Sequence, residues 1–305
     1  MTTPWIHRHT RLGLGLTAVI SAVVVAGCGG GQDQPVTTAG PVVRAAADVH
    51  YPLDSYQISD ADMGTVLAAR RVFEIRCMRR LGFTGDEFAG LIAVDYDETT
   101  KSQMLTFLDP TAARERGYHK PGDRAPAATG PKGAPEQPGE RSAMSGSVQT
   151  VNGIPVPQGG CGEEALRNLK EGAGDPPIDV RSLSGDAQEQ TLRDPRLHTA
   201  LQAWSSCMGK AGMDYDAPWS AEEGNGAWQR NRDGWYHNDP TPAEIRTATV
   251  DVDCRARTNI LGTWIAVQSD YQNQLIHQHQ EQLTRAKTCL TRWLATARAA
   301  VNSGP

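Results

Sequence analysis

Long apolar runs are nearly missing from this chain. Only Leu12–Val25, LGLGLTAVISAVVV, is continuously apolar and uncharged, and it falls short of the roughly 20 residues that a membrane-crossing helix needs. A polytopic membrane protein is thereby excluded. Excess positive charge is also missing: 30 basic residues face 35 acidic ones, for a net charge of −5. That leaves no basic footprint for nucleic acid. Aromatics are scarce at 6%, with 4 Phe against 7 Trp and 7 Tyr. Lysine is scarcer than arginine, a skew usual in chains encoded by GC-rich genomes. The hydrophobic share of 39%, raised by 31 glycines, still excludes wholesale disorder.

Signatures of chemistry are missing too. No G-x-S-x-G, H-E-x-x-H, S-x-x-K or phosphate-loop sequence occurs, and no C-x-x-C or H-x-x-x-H pair is present to clamp zinc. No cofactor or metal is expected. His277 and His279 are two residues apart on a helix and point to different sides, so they cannot share a metal ion. Asp95-Tyr96-Asp97-Glu98 lacks the glycine and distal Glu of a calcium loop. Asp60-Ala61-Asp62 and Asp251-Val252-Asp253 fall in helical contexts, where acids serve as caps or solvated faces.

What is present begins at the N-terminus. Arg8 and Arg11 precede the apolar run with no acid before it, the layout of a secretory signal. The run ends in Val25-Ala26-Gly27-Cys28 and a Gly-rich stretch. These four residues resemble the lipobox of bacterial lipoproteins, with Val in place of the commoner Leu. The resemblance implies cleavage after Gly27 and a diacylglyceryl group on the Cys28 thiol, on the outer face of the cytoplasmic membrane. Two acyl chains anchor stably where one does not. Losing residues 1–27 removes two Arg and no acid, which moves the net charge to −7.

Beyond Cys28, residues 28–58 read as a flexible tether of Gly, Gln, Pro, Thr and Ala. A helical domain is expected over 59–300. Ser59 and Asp62 form an N-terminal cap, and Val66, Ala69, Phe73, Cys77 and Leu81 mark an amphipathic face ended by Gly82. Asp109-Pro110 opens a short helix ended by Gly117. The Pro/Gly-rich stretch at about 120–150 is expected to be a mobile loop. A further helix carries Ala165, Leu166 and Leu169. Asp194-Pro195 caps another through Leu197, Leu201, Trp204 and Met208, ended by Gly212. Thr241-Pro242-Ala243-Glu244 starts the next as a capping box. A break at Asn259 and Gly262 precedes a long C-terminal helix. No stretch sustains a period of two, so the predicted class is mostly α.

The strongest pattern is a duplication. Cys77-Met78-Arg79-Arg80-Leu81-Gly82-Phe83 and Cys207-Met208-Gly209-Lys210-Ala211-Gly212-Met213 share C-M-x-x-x-G-hydrophobic, each in the last turn of a helix. Each is followed by one more cysteine beside a helix, Cys161 and Cys254. Five cysteines outside the membrane allow several pairings, and the repeat selects Cys77–Cys161 and Cys207–Cys254, leaving Cys289. Cys289 falls on the apolar side of the last helix, where a thiol behaves as a small hydrophobe. The predicted architecture is therefore two pseudo-repeated helical halves stapled by disulfides.

The lipobox, both C-M-x-x-x-G helices, the approach Val156 to Cys161, Trp204-Ser-Ser-Cys207 and Asp253-Cys254 together resemble disulfide-containing lipoproteins of high-GC Gram-positive bacteria. That resemblance covers most of 59–290 and implies scaffold and location, not an activity. Trp219, Trp228, Trp235 and Tyr236 form a candidate recognition loop, with packing onto the core as the other use of such residues. The functional expectation is a non-catalytic envelope protein that engages another protein or cell-wall material. The alternative is a cell-wall-modifying hydrolase working through scattered acids such as Asp95, Asp97 and Asp253.

Overall fold

The computed structural model describes residues 40–83, 105–120, 137–229 and 238–305. The chain divides into Met1–Val36 and Thr37–Pro305, and every described residue belongs to the second unit. Among them are nine α-helices and one two-stranded hairpin: α1 Asp60–Arg80, α2 Pro110–Arg116, α3 Glu140–Ser145, β1 Thr150–Val151, β2 Ile154–Pro155, α4 Gly160–Leu169, α5 Val180–Arg193, α6 Pro195–Lys210, α7 Pro218–Glu223, α8 Pro242–Thr258 and α9 Ile260–Ser303. The class is mostly α.

The start signals work as their chemistry dictates. Ser59 accepts the backbone N–H of Asp62, Asp109 that of Ala112, Asp194 that of Arg196 and Thr241 that of Glu244. Asn259 takes a left-handed conformation (φ 48°) and separates α8 from α9. Helix α9 is 44 residues long and kinks once, at His279.

This helix is the spine of the fold. Its first turns bring Ile260, Leu261, Trp264 and Ile265 into a core with Trp204, Met208, Ala248 and Cys254 from α6 and α8. Its middle packs Leu283 and Ala286 against Val180 and Leu183 of α5 and Leu53. Its end packs Ala297 and Ala300 against Val66, Ala69 and Val72 of α1. Past that end, Ile75, Met78, Leu81 and Phe83 enclose Cys77 and Cys161 with Ala143 of α3.

Several expectations are corrected here. Packing begins before Ser59: Gly40, Tyr51 and Leu53 are buried in a stretch read as tether, while most of residues 41–50 are exposed. A few large apolar residues suffice because α9 provides the rest of the surface. The stretch from 137 to 150, read as mobile loop, carries α3 with Ala143 fully buried; residues 121–136 lie outside the described residues. Helix α5 was not anticipated, although Asp179 caps it and Val180, Leu183, Ala187 and Thr191 form its buried face. Helix α9 runs three residues past Ala300.

Candidate functional site

Cysteine geometry comes first, because it holds both ends of the fold. Cys77–Cys161 and Cys207–Cys254 are bonded, with Cα atoms 5.5 and 5.7 Å apart, inside the range a disulfide accepts. The fifth described cysteine, Cys289, is free and half-buried, and donates to the carbonyl of Ala173 at 3.4 Å. Beside it Arg292 donates to the Gly172 carbonyl at 3.1 Å and Trp293 to that of Gly174 at 2.9 Å. Three side chains of α9 thus hold one Gly-rich turn.

The densest polar cluster lies on α8. Its inward face carries Glu244, Thr247, Asp251 and Arg255 along with Ala248, Val252 and Cys254. Asp251 is fully buried. One of its oxygens accepts from Trp204 Nε1 at 2.8 Å and Arg255 Nε at 2.9 Å; the other accepts from the Tyr118 hydroxyl at 3.2 Å and lies 2.8 Å from Arg255 Nη2. Arg255 also donates to Glu222 at 2.8 Å and to the Thr106 carbonyl at 2.9 Å. Glu244 accepts the N–H of Tyr118 at 3.1 Å and lies 3.5 Å from His119 Nε2.

Electrostatics follows from this enclosure. Burial would strip the proton from Arg255, but the Asp251 and Glu222 carboxylates outweigh it and hold the guanidinium above its ordinary range. Burial, then the charge on Asp251, pushes the Tyr118 phenol well above its usual value. Asp251 has no solvent-facing side, so it holds a charge in place and is not placed to move a proton to a substrate. What the cluster does is dock the end of α2 and helices α6 and α7 onto α8.

A smaller cluster joins α5, α6 and α9. Asp194 accepts from Arg196 Nε at 3.0 Å, Arg196 Nη2 at 2.9 Å and the Tyr271 hydroxyl at 3.0 Å, while Arg196 reaches Asp270 at 2.6 Å. The Arg196 hydrogen bonds hold the Asp194 carboxyl below the usual carboxylate range.

The residues singled out in the sequence fare unequally. Trp228 is buried, and its indole N–H donates to the Ala221 carbonyl at 2.8 Å. Trp219 meets Trp264 edge-on, with ring centroids 6.3 Å apart. Both pack onto the core, Trp219 half-buried and Trp228 buried, which is the other use named for such residues, since an indole gains from burying its large apolar body. Cys28, Asp95, Asp97, Trp235 and Tyr236 lie outside the described residues. Asp253 is exposed on α8, while Asp251, read as a cap or solvated acid, is the buried centre of the cluster. His279 sits at the α9 kink with Nδ1 2.9 Å from Gln282 Oε1. An open depression of about 320 Å³ lies beside the second C-M-x-x-x-G turn, lined in part by Gly212, Tyr215, Arg246 and Thr247. Among the described residues no group of three or more His, Cys, Asp or Glu side chains is placed to hold a metal ion, and no helix is long and apolar enough to cross a membrane.

No protein-family model, no curated protein and no solved structure matches this chain.

Proposed function

We propose that this chain is an extracytoplasmic lipoprotein, held to the cytoplasmic membrane by a diacylglyceryl group on Cys28, whose helical domain is a non-catalytic interaction module of the cell envelope. The observation that carries the reading is Val25-Ala26-Gly27-Cys28 directly behind a charge-free apolar run. The two disulfides support it, since such bonds persist in oxidising compartments outside the cytosol. The interaction role is supported by how the charged clusters are used: Asp251, Arg255, Asp194 and Arg196 are engaged in docking helices. Partners are envelope proteins or cell-wall material, and nucleic acid is not among them.

The test has two arms. Intact-mass analysis of the protein from its native host should show a lipid-modified Cys28 as the N-terminal residue, and Cys28→Ser should release the protein or leave an uncleaved precursor. Crosslinking in intact cells should then capture an envelope partner. Turnover of peptidoglycan or of chromogenic esters, glycosides or peptides, abolished by Asp95→Asn, Asp97→Asn or Asp253→Asn, would replace the module with a hydrolase.

A further inference from the structure

Two parts of the stretch from Gly40 to Gln57 lie against α9: Gly40 and Pro41 at its first turn, and Leu53 to Tyr56 at its middle. At one end, the Gly40 carbonyl accepts from Asn259 Nδ2 at 3.0 Å. There the two backbones touch: a Cβ on Gly40 would sit 1.9 Å from the Gly262 carbonyl oxygen, and a Cβ on Gly262 would sit 2.1 Å from that of Pro41. Only glycine fits at either position. Further along, Leu53 is fully buried and its N–H donates to Gln272 Oε1 at 2.9 Å. Gln272 is itself buried, so removing this stretch would leave its amide without that partner, at a cost of desolvation. Beyond it the Tyr56 ring lies under Lys287. At the far end, Asp62 pairs with Arg298 at 2.8 Å.

The stretch is therefore a strap, and it decides where the N-terminal chain leaves the domain. Without it the domain would begin at Ser59, beside the C-terminal end of α9. With it, the chain leaves at Gly40, beside the first turn of α9. The 36 residues from Gly262 to Arg298 correspond to about 54 Å of helix. From Cys28 to Gly40 there are 12 residues, which can span no more than about 42 Å even when fully extended.

We infer that the strap orients the domain on the membrane: the α8–α9 corner and the Cys207–Cys254 half face the bilayer, and the Cys77–Cys161 half, with α3 and the hairpin, is carried outward towards a partner. This rests on the lipid-anchor reading above. The corner can never lie farther from the bilayer than the short tether permits, whereas the other half can range a helix length beyond it. Averaged over time, the two ends are unequal.

Energy transfer to a headgroup-labelled bilayer tests this. The lipidated full chain, with Cys28 modification confirmed by mass, is placed in phosphatidylglycerol-containing vesicles. A fluorescent non-natural residue replaces Arg257 at the corner or Val148 near the hairpin, both exposed. Transfer from position 257 should be several-fold higher than from position 148. Amide exchange at residues 51–56 of the same protein should be as slow as in α6. Equal transfer, or higher transfer from 148, on a lipidated protein overturns the orientation while leaving the anchor standing. Exchange at residues 51–56 at the rate of a free chain overturns the strap. An unmodified Cys28 removes the anchor reading and this inference with it.

Discussion

The two C-M-x-x-x-G turns are built alike and used differently. In the first, the Gly82 N–H donates to the Arg79 carbonyl at 3.0 Å and the Phe83 N–H to that of Met78 at 3.1 Å; in the second, Gly212 donates to Gly209 at 3.0 Å and Met213 to Met208 at 3.1 Å. Both glycines are left-handed, at φ 87° and 78°. Each turn places its Cys one residue before a buried Met, and both of those Cys are bonded. Around them the halves diverge. The first half closes on an apolar core, Ile75, Met78, Leu81 and Phe83. The second sets Trp204 on a buried carboxylate and an arginine. A repeated motif thus specifies a helix end and a staple, and leaves each half to find its own way of filling the space.

The largest test of this comparison is to cut each staple separately. The bridges close 84 and 47 residues, and the chain-entropy argument assigns each about 4–5 kcal/mol, slightly more to the longer. Cys77→Ala with Cys161→Ala should lower stability by about that amount in urea unfolding, and Cys207→Ala with Cys254→Ala by a little less. Cys77 and Cys161 are both fully buried, whereas Cys207 is half-buried. Mild reductant should therefore open Cys207–Cys254 first, as peptide mapping over time would show. Opening in the reverse order would mean that access does not govern reduction here.

Next in size is the fully buried carboxylate of the second half, Asp251. Asp251→Ala would leave Arg255 deep in the core opposite Glu222 alone, and breaking such a pair costs about 3–5 kcal/mol. Asp251→Leu with Arg255→Met removes the buried pair and leaves only the Glu222 carboxylate, which reaches solvent, so it should cost less. Urea midpoints of the two proteins decide it. Near-equal losses would show that shape, not charge, is what Asp251 provides.

This same residue marks where the sequence stops being legible. Helix caps at Ser59, Asp109, Asp194 and Thr241 were readable because capping is local: the acceptor and its N–H are two or three residues apart. The cysteine pairing was readable because the motif occurs twice. Asp251 was not, since its partners Trp204 and Tyr118 are 47 and 133 residues away. Glu244 misled in a related way: it sits where a capping box would use it, yet its carboxylate accepts from Tyr118, 126 residues away. The strap was missed because Tyr51 and Leu53 lie among polar and Pro residues and acquire a buried face only against α9. Helix α5 was missed because its buried stripe is short and ends in a polar residue, Thr191, with Ser182, Ser184 and Gly185 between its apolar members.

The glycines that end the two motif helices differ in a smaller way. A Cβ on Gly82 would meet Asn152 Nδ2 at 3.2 Å, the atom that donates to the Leu81 carbonyl at 3.0 Å, whereas nothing lies within 4 Å of one on Gly212. Both substitutions carry the left-handed penalty of about 1–2 kcal/mol. Gly82→Ala must also displace Asn152, so it should destabilise more than Gly212→Ala. Thermal melts of the two variants would show it, and equal shifts would mean that Asn152 moves aside freely.

The smallest expected effect is acid sensitivity, and it too separates the halves. In the second, Arg196 hydrogen bonds hold Asp194 below the ordinary carboxylate range. In the first, the Ser59 hydroxyl and then Arg298 do the same for Asp62. A folded-state value below the unfolded value of about 3.9 means that the unfolded chain binds more protons in that window. Stability from both groups is therefore fully present above about pH 4 and is lost as pH falls through the folded values. Asp194 is buried and bonded to Arg196 and Tyr271, while Asp62 is half-exposed and screened by water, so Asp194 should account for more of the slope. Asp194→Asn keeps a side-chain oxygen for the cap and should cost at most about 1 kcal/mol at pH 7. Its stability should then fall less steeply than that of the parent between pH 5 and pH 3, and Asp62→Asn should flatten the slope less. Parallel pH profiles for all three proteins would place the acid sensitivity elsewhere in the chain.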